Sequence, residues 1–422
     1  MIEAASSWVR VAPDSEFPLA NLPYGVYRSA RGEPHIGVAI GDSIFDLHDA
    51  AQAGLFDGIV SRAVLQAPTL NLLLAAGRTV WSALRERVHA LLQTHATAFA
   101  GIDRDALTAP RTNAQMLLPF AVGDYVDFYS SLEHATNLGK IFRPGGEALM
   151  PNWRWIPIGY HGRSSTIVVD GTPIVRPKGQ RKPPDAAEPS FGPSRLLDIE
   201  LEVGFVTGPG NTMGHPIPIE SARDHIFGLV LVNDWSARDI QAWEYQPLGP
   251  FLGKSFATSV SPWVVTLDAL EPYRVSGPRQ EPQPLPYLRS TEEWNYDVWL
   301  LVELQTQKMR ENGVCAEIVS RSNFKYMYWN MAQQLAHASV NGTAVRPGDL
   351  YASGTISGST PDSYGSFIEL TWRGARPLKL QSGEERAFLE DGDEITLRGV
   401  CEAPGKPRIG FGGVSGTILP AT

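Results

Sequence analysis

The chain has 422 residues, 43% hydrophobic and 19% charged, with a formal net charge of −9 at pH 7. That composition is ordinary for a soluble globular protein, and the length allows two or three domains at roughly 100–200 residues each. The acidic balance and the lack of a basic arm weigh against nucleic-acid or anionic-membrane partners, so a small anionic substrate would need Arg or Lys gathered locally.

The start, MIEAASSWVR, has no basic stretch followed by a long apolar run, so no secretory leader is expected. Residues 23–48 read as short strands broken by Gly and Pro turns. Residues 79–98 read as a helix, with Val80, Leu84, Val88, Leu91 and Leu92 at helical spacing. The following TAPRTNAQMLLPFAVGDY is a connector, and a boundary near residue 118 divides the chain into 1–118 and 119–422. Beyond it the chain is rich in Gly, Pro, Trp and Tyr, with many short β-like runs. Regular βαβ alternation is missing, so a β-dominated domain is expected, not a doubly wound sheet. The longest apolar runs, such as IFGLVLV, suit buried strands and fall far short of the roughly 20 residues of a membrane span. Cys315 and Cys401 make neither a disulfide framework nor a zinc cluster and fit a reduced, intracellular compartment.

The first chemically dense stretch is DFYSSLEHATN, residues 127–137, followed by Arg143. Alternation would put Asp127 and Tyr129 on one side, and Ser130 or Ser131 can cap a helix carrying His134 in its first turn. A lone His is more often packed or solvated than catalytic; here it follows a carboxylate of the type that binds a hard cation. PNWRWIPIGYHGRSS then brings Tyr160.

In LLDIELEVGFVTG (196–208), Leu197, Ile199, Leu201 and Val203 share one strand face and Asp198, Glu200 and Glu202 the other. Carboxylates two residues apart on a strand lie roughly 6–7 Å apart at the backbone and can converge on one cation. An isolated E-x-E is more often a solvated face, so other oxygen ligands must join it to make a site. Asp234 is one, at the end of the apolar strand in HIFGLVLVNDWSARDIQAWEYQPLGPFLGKSFATS. Ser236 and Asp239 resemble a capping box, so a helix is expected to start there, with Arg238, Gln241 and Tyr245 on one face. The bland alternative, in which Arg238 pairs with a surface acid and Tyr245 packs inside, stands at even weight on this segment alone. GPFLGKS (249–255) imitates a phosphate-binding loop, but it has three residues between Gly and GK where four are needed, and it follows a helical segment. Nucleotide binding is therefore discounted, while a turn holding Lys254 near the site is retained. Together Asp127, Glu200, Glu202 and Asp234 would form an all-oxygen cage of the kind that suits Mg²⁺, Ca²⁺ or Mn²⁺ and disfavours zinc.

DYVDFYSSLEHATNLGKIFR, PNWRWIPIGYHGRSS, LLDIELEVGFVTG, HIFGLVLVNDWSARDIQAWEYQPLGPFLGKSFATSVSPWVV and ASGTISGS, in this order, resemble the fumarylacetoacetate hydrolase family over almost the whole chain. The resemblance implies a mainly β protein: a small SH3-like N-terminal barrel domain plus a C-terminal β-roll catalytic domain with some helices, assembled as a cytoplasmic homodimer. It implies cation-dependent hydrolytic C–C cleavage of 4-fumarylacetoacetate, a dicarboxylate β-diketone, to fumarate and acetoacetate in tyrosine and phenylalanine breakdown. The implied cofactor is Mg²⁺ and/or Ca²⁺, with Mn²⁺ as an alternative and no organic group. By motif match, Asp127, Glu200, Glu202 and Asp234 are the metal ligands, and Lys254 and Thr258 mark a second cation site beside Asp234, with oxygens and not the ammonium as ligands. His134 is the base and Glu369 its orienting partner; Arg238, Gln241 and Lys254 stabilise developing negative charge. Tyr129, Arg143, Tyr160, Gln241, Tyr245 and Thr355 contact substrate. Glu369 is expected on a strand in SFIELTW. One departure is Val414, where relatives often carry Cys, which excludes a role for that cysteine here.

Two other readings are weighed against this one. The same scaffold hosts acylpyruvate hydrolases, decarboxylases and isomerases, which need the cage but not the same base; His134 with Glu369 favours the hydrolase. A catalytically dead metal-binding scaffold protein would have lost a ligand or the base, and none is missing.

Overall fold

The computed structural model describes residues 6–422. Residues 1–5, part of the start read above for a leader, lie outside the described residues.

The N-terminal part forms a five-stranded antiparallel sheet in the order Thr108–Pro110, Ser43–Asp46, Pro34–Ile40, Tyr24–Arg28, Met116–Leu117. The strands expected in residues 23–48 are three of these. The helix expected over 79–98 runs Arg78–Leu92 and buries Trp81, Leu84, Val88, Leu91 and Leu92. It stops earlier than the periodicity suggests because residues 93 and 94 turn extended and pair with the first described segment: Trp8 N donates to Leu92 O at 3.3 Å and Thr94 N to Ser6 O at 2.8 Å.

The C-terminal part holds two main sheets. The larger has eight strands. Its path is Gly159–His161, Tyr125–Phe128, Leu350–Ala352, Leu201–Thr207, Ile226–Asp234, Thr258–Val260, Ile167–Val169, with Val265–Thr266 also paired to Ile226–Asp234. The second has five strands: Glu317–Asn323, Trp299–Gln305, Glu394–Cys401, Ile409–Leu419 and Ile174–Val175. The chain is thus mainly β, with short helices between strands.

Side-chain alternation gives the large sheet two buried faces. Val203, Phe205, Leu229 and Leu231 point into the core of the C-terminal part. Val206, Val230, Val232, Leu350 and Ala352 point the other way, into a core shared with Val26, Ile36, Val38, Leu84 and Val88 of the N-terminal part. Strands buried on both faces read as continuous apolar runs, which is why IFGLVLV shows no alternation. The second sheet approaches closely at Gly399, where a Cβ would lie 2.8 Å from Leu231 Cδ2, so a larger residue would have to displace that side chain.

No helix among the described residues is long and apolar enough to cross a membrane.

Candidate active site

Asp127 sits on Tyr125–Phe128, a strand that pairs parallel with Leu350–Ala352, placing Asp127 opposite Ala352. Glu202 lies on Leu201–Thr207, and Asp234 ends Ile226–Asp234. Glu200 falls in a break between the short strand Leu197–Asp198 and Leu201–Thr207. The four residues each offer an oxygen within 4.8 Å of the others, and all four are buried. The E-x-E is therefore no solvated face.

The break in the strand overturns one expectation. Asp198 does not join Glu200 and Glu202 but turns away, accepting from Arg238 Nε at 2.8 Å, Phe367 N at 2.6 Å and Ile368 N at 3.0 Å. Leu197–Asp198 pairs with Ser236–Ala237 in a sheet of its own, which rotates its polar side out of line with Glu202.

The helix after Asp234 is Arg238–Glu244. Ser236 does not cap it, because Ser236 is held in that strand pair and its hydroxyl donates to Asp234 O at 3.0 Å. Asp239 is drawn off as well, accepting from Ser194 Oγ at 2.6 Å and Arg195 N at 2.8 Å. Arg238 nevertheless faces the cage. Its Nη1 lies 2.8 Å from Glu200 Oε1 and donates to Gln241 Oε1 at 3.1 Å, so it does not pair with a surface acid. The turn carrying Lys254 forms no phosphate cradle. Lys254 Nζ donates to Glu200 Oε2 at 2.5 Å and Asp234 Oδ2 at 2.7 Å, while Thr258 Oγ1 donates to Asp234 Oδ1 at 2.9 Å and Tyr160 OH to Asp234 Oδ2 at 3.0 Å. A protonated ammonium has no lone pair to give, so the Lys254 Nζ is a charge partner of the cage and not a ligand.

The electrostatics divide the four carboxylates. Burial raises the Glu200 pKa, but Lys254 and Arg238 outweigh it and hold the group well below the usual carboxylate range. Burial, and then repulsion from Asp234, pushes Asp127 well above that range; burial and repulsion from Asp127 and Glu200 do the same to Glu202. Asp127 Oδ1 and Glu202 Oε1 are buried with no hydrogen-bond partner. The other oxygen of Glu202 accepts from Gly354 N at 3.0 Å. Gly354 has φ +77° and stands so close to Phe128 O that a Cβ would lie 2.1 Å away, so that donor can be supplied only from a glycine. Unpartnered buried oxygens among carboxylates fit a hard divalent cation, which Asp127, Glu200, Glu202 and Asp234 would hold.

Ser131 caps the helix Leu132–Phe142, accepting from His134 N at 3.3 Å, so His134 stands in the first turn. Its Nδ1 lies 2.6 Å from Glu369 Oε2, and both residues are buried. Glu369 is not on a strand: Phe367–Leu370 is a single helical turn. The alternation in SFIELTW misleads because Asp198 binds the first two N–H groups of that turn. Glu369 also accepts from Asn137 Nδ2 at 2.9 Å, Ser366 Oγ at 2.7 Å, and Ser357 Oγ at 3.0 and 2.9 Å. Asn137, Ser357 and Ser366 were not singled out in the sequence. Asn137 alone had a signal, three residues after His134 on the same helix.

A cavity of about 410 Å³ collects these groups. Asp127, Tyr129, His134, Arg143, Tyr160, Glu200, Arg238, Gln241, Tyr245, Lys254 and Thr355 line it, with Leu138, Phe142 and Leu248 as apolar wall. Glu202 and Glu369 stand behind this lining. Asp234 and Thr258 border a smaller neighbouring cavity of about 150 Å³, which Tyr160 and Lys254 also line. Thr355 Oγ1 is buried without a partner. Arg143 is exposed at the rim, donating to Ala148 O at 2.7 Å.

The profile described as Fumarylacetoacetate (FAA) hydrolase C-terminal matches residues 125–418, and that described as Fumarylacetoacetase N-terminal matches residues 20–119. The chain belongs to the fumarylacetoacetate hydrolase family. It is similar to the fumarylacetoacetase of Homo sapiens, 52% identical over 98% of this chain and 99% of the relative, and to that of Arabidopsis thaliana, 49% identical over 98% of each. Among solved structures it is similar in fold to a fumarylacetoacetate hydrolase from psychrophilic Exiguobacterium antarcticum, with TM-score 0.52 and 17% identity over 94% of this chain and 99% of that one.

Proposed function

We propose that the chain hydrolyses 4-fumarylacetoacetate to fumarate and acetoacetate, using His134 as general base beside the carboxylate cage. The observation carrying this reading is that His134, backed by Glu369, and the cage residues Asp127 and Glu200 face one cavity, in a chain 52% identical to a fumarylacetoacetase over 98% of its length.

Asp127, Glu200, Glu202 and Asp234 would hold the cation, which we infer to be Mg²⁺ or Ca²⁺. When bound, it supplies a Lewis acid that polarises a β-diketone and stabilises the departing enolate. The chain does the rest. Glu369 accepts the Nδ1 proton of His134 and so leaves Nε2 free to take a proton from water. Three donors, from Asn137, Ser366 and Ser357, the last shared between both oxygens, keep Glu369 ionised and fixed, and so hold the imidazole in place. Arg238, Gln241 and Lys254 stand ready as donors to a developing oxyanion. Arg143, Tyr129, Tyr160, Tyr245 and Thr355 offer donors for the substrate's carboxylates and carbonyls. Leu138 and Phe142 give the cavity an apolar wall.

A homodimer is supported by the exposed Leu248, Phe251 and Leu252 beside the cavity mouth. A cytoplasmic location is supported by Cys315 and Cys401, both free thiols. The division into two domains near residue 118 is supported by the five-stranded sheet, which closes at Leu117.

The test is incubation of purified protein with 4-fumarylacetoacetate and Mg²⁺, following loss of diketone absorbance and appearance of fumarate. Unchanged absorbance, or isomerisation without fumarate, would overturn the assignment.

A further inference from the structure

Behind the catalytic cavity lies a second cavity of about 250 Å³, sharing Phe142, Arg238 and Ala242 as common wall. Its lining carries Arg181, Lys182, Arg195 and Arg373 beside Arg238, against one carboxylate, Asp239. Arg238 is already committed to Asp198 and Glu200. The other four leave a clear positive excess in a chain whose net charge is −9.

Asp239 offsets only Arg181, with which it forms a long ion pair at 3.8 Å; its oxygens also accept from Ser194 Oγ and Arg195 N. Arg181 is 9% exposed, and its Nε is buried with no partner. A buried guanidinium nitrogen without an acceptor is costly unless a ligand supplies one. Among the described residues, Lys182, Arg195 and Arg373 have no ion-pair partner; Lys182 and Arg373 lie over the Trp243 and Phe142 rings, each at 5.7 Å. Phe142, Leu196 and Ile368 add apolar surface to the same lining. Cations and apolar surface in one lining suit a ligand with two separated negative charges and a short hydrocarbon body, more than a bare inorganic anion.

We propose that this cavity is an accessory binding site for a short-chain organic dicarboxylate, distinct from the catalytic cavity and held by Arg181, Arg195 and Arg373. The site borders a cavity whose reaction releases a dicarboxylate, so the class of ligand is one the enzyme meets continually. The proposal does not depend on hydrolysis, since binding alone reads it.

Calorimetric titration of the full chain with glutarate at constant ionic strength tests it, with butyrate and inorganic phosphate as comparison ligands. Saturable glutarate binding is expected, at least tenfold tighter than either comparison ligand. The exposed pair Arg195→Gln and Arg373→Gln should weaken glutarate binding at least tenfold, and Arg195→Lys with Arg373→Lys should restore much of it. Turnover of the catalytic substrate should be unchanged in the Gln pair. Glutarate binding that is equal in the Gln pair and the parent would place the ligand in the catalytic cavity and overturn the proposal. So would butyrate or phosphate binding as tightly as glutarate.

Discussion

Glu369 and the cage pair Asp127–Glu202 are all buried carboxylates, yet they are held in opposite ways. Glu369 is surrounded by donors from His134, Asn137, Ser357 and Ser366. Burial alone would raise its pKa, but these partners, led by His134, outweigh burial and hold it below the usual range. Asp127 and Glu202 face other carboxylates and keep one oxygen each without a partner. Donors built into the chain make the first anion permanent. The second pair is an anion pair only on condition that a cation arrives.

The sharpest break of that comparison is to remove cage ligands. Asp127→Ala or Glu202→Ala should abolish stoichiometric Mg²⁺ or Ca²⁺ uptake and lower turnover by more than about 10³, at the upper end of what single catalytic groups supply. Metal analysis of the purified variants, beside turnover, checks it. Full turnover in exhaustively demetallated protein would refute the conditional role of the cage.

His134→Ala should cost roughly 10²–10⁴ in kcat while metal content stays that of the parent. Glu369→Gln should cost less, and the double variant should cost little more than His134→Ala, because the two act as one unit. Additive losses in the double variant would mean that Glu369 is not acting through His134.

A third expectation concerns pH. Asp127 and Glu202 have folded pKa values raised above their unfolded values near ~4. A carboxyl group raised on folding binds more protons in the native state, so cation-free protein loses stability as pH rises above ~4. Glu369 has the opposite sign: its contribution is present above its unfolded pKa and is lost as pH falls through the folded one. The difference in Tm between cation-loaded and chelator-treated protein should therefore widen from pH ~5 to ~8 and vanish in Asp127→Asn/Glu202→Gln. A gap independent of pH would contradict it.

The smallest effect is at the rim. Arg143→Lys keeps the charge but loses the two-nitrogen fork, so KM for a dicarboxylate diketone should rise about tenfold, with a neutral β-diketone little affected. Equal loss on both would show that Arg143 serves the backbone it binds at Ala148.

Much of this site could be read in the sequence because its motifs are long and local. DFYSSLEHATN contains a cage residue, a capping serine and the imidazole within one strand and one helical turn. What escaped depends on distant partners. Asp198 looked equivalent to Glu200 and Glu202 until a second strand pair, at Ser236–Ala237, turned it toward Arg238. Phe367–Leu370 alternates like a strand, and only the carboxylate of Asp198 explains its helical turn. Ser236 had the right neighbour for a cap, but its place in a strand pair prevailed over local propensity. The early end of the Arg78–Leu92 helix likewise follows from pairing with residues 6–8.

The parallel pairing of Tyr125–Phe128 with Leu350–Ala352 also governs the order in which the molecule can be made. The donor that holds Glu202, Gly354 N, follows that late strand directly. Gly159–His161 can pair with Asp127's strand early, but most of the chain must emerge before its other edge is covered, and until then that edge stays open to other nascent chains. Contacts so distant in sequence are slow to form. Truncations ending before residue 350 should therefore aggregate instead of binding metal, and full-length chains should acquire the cation late, as a marker of completed folding.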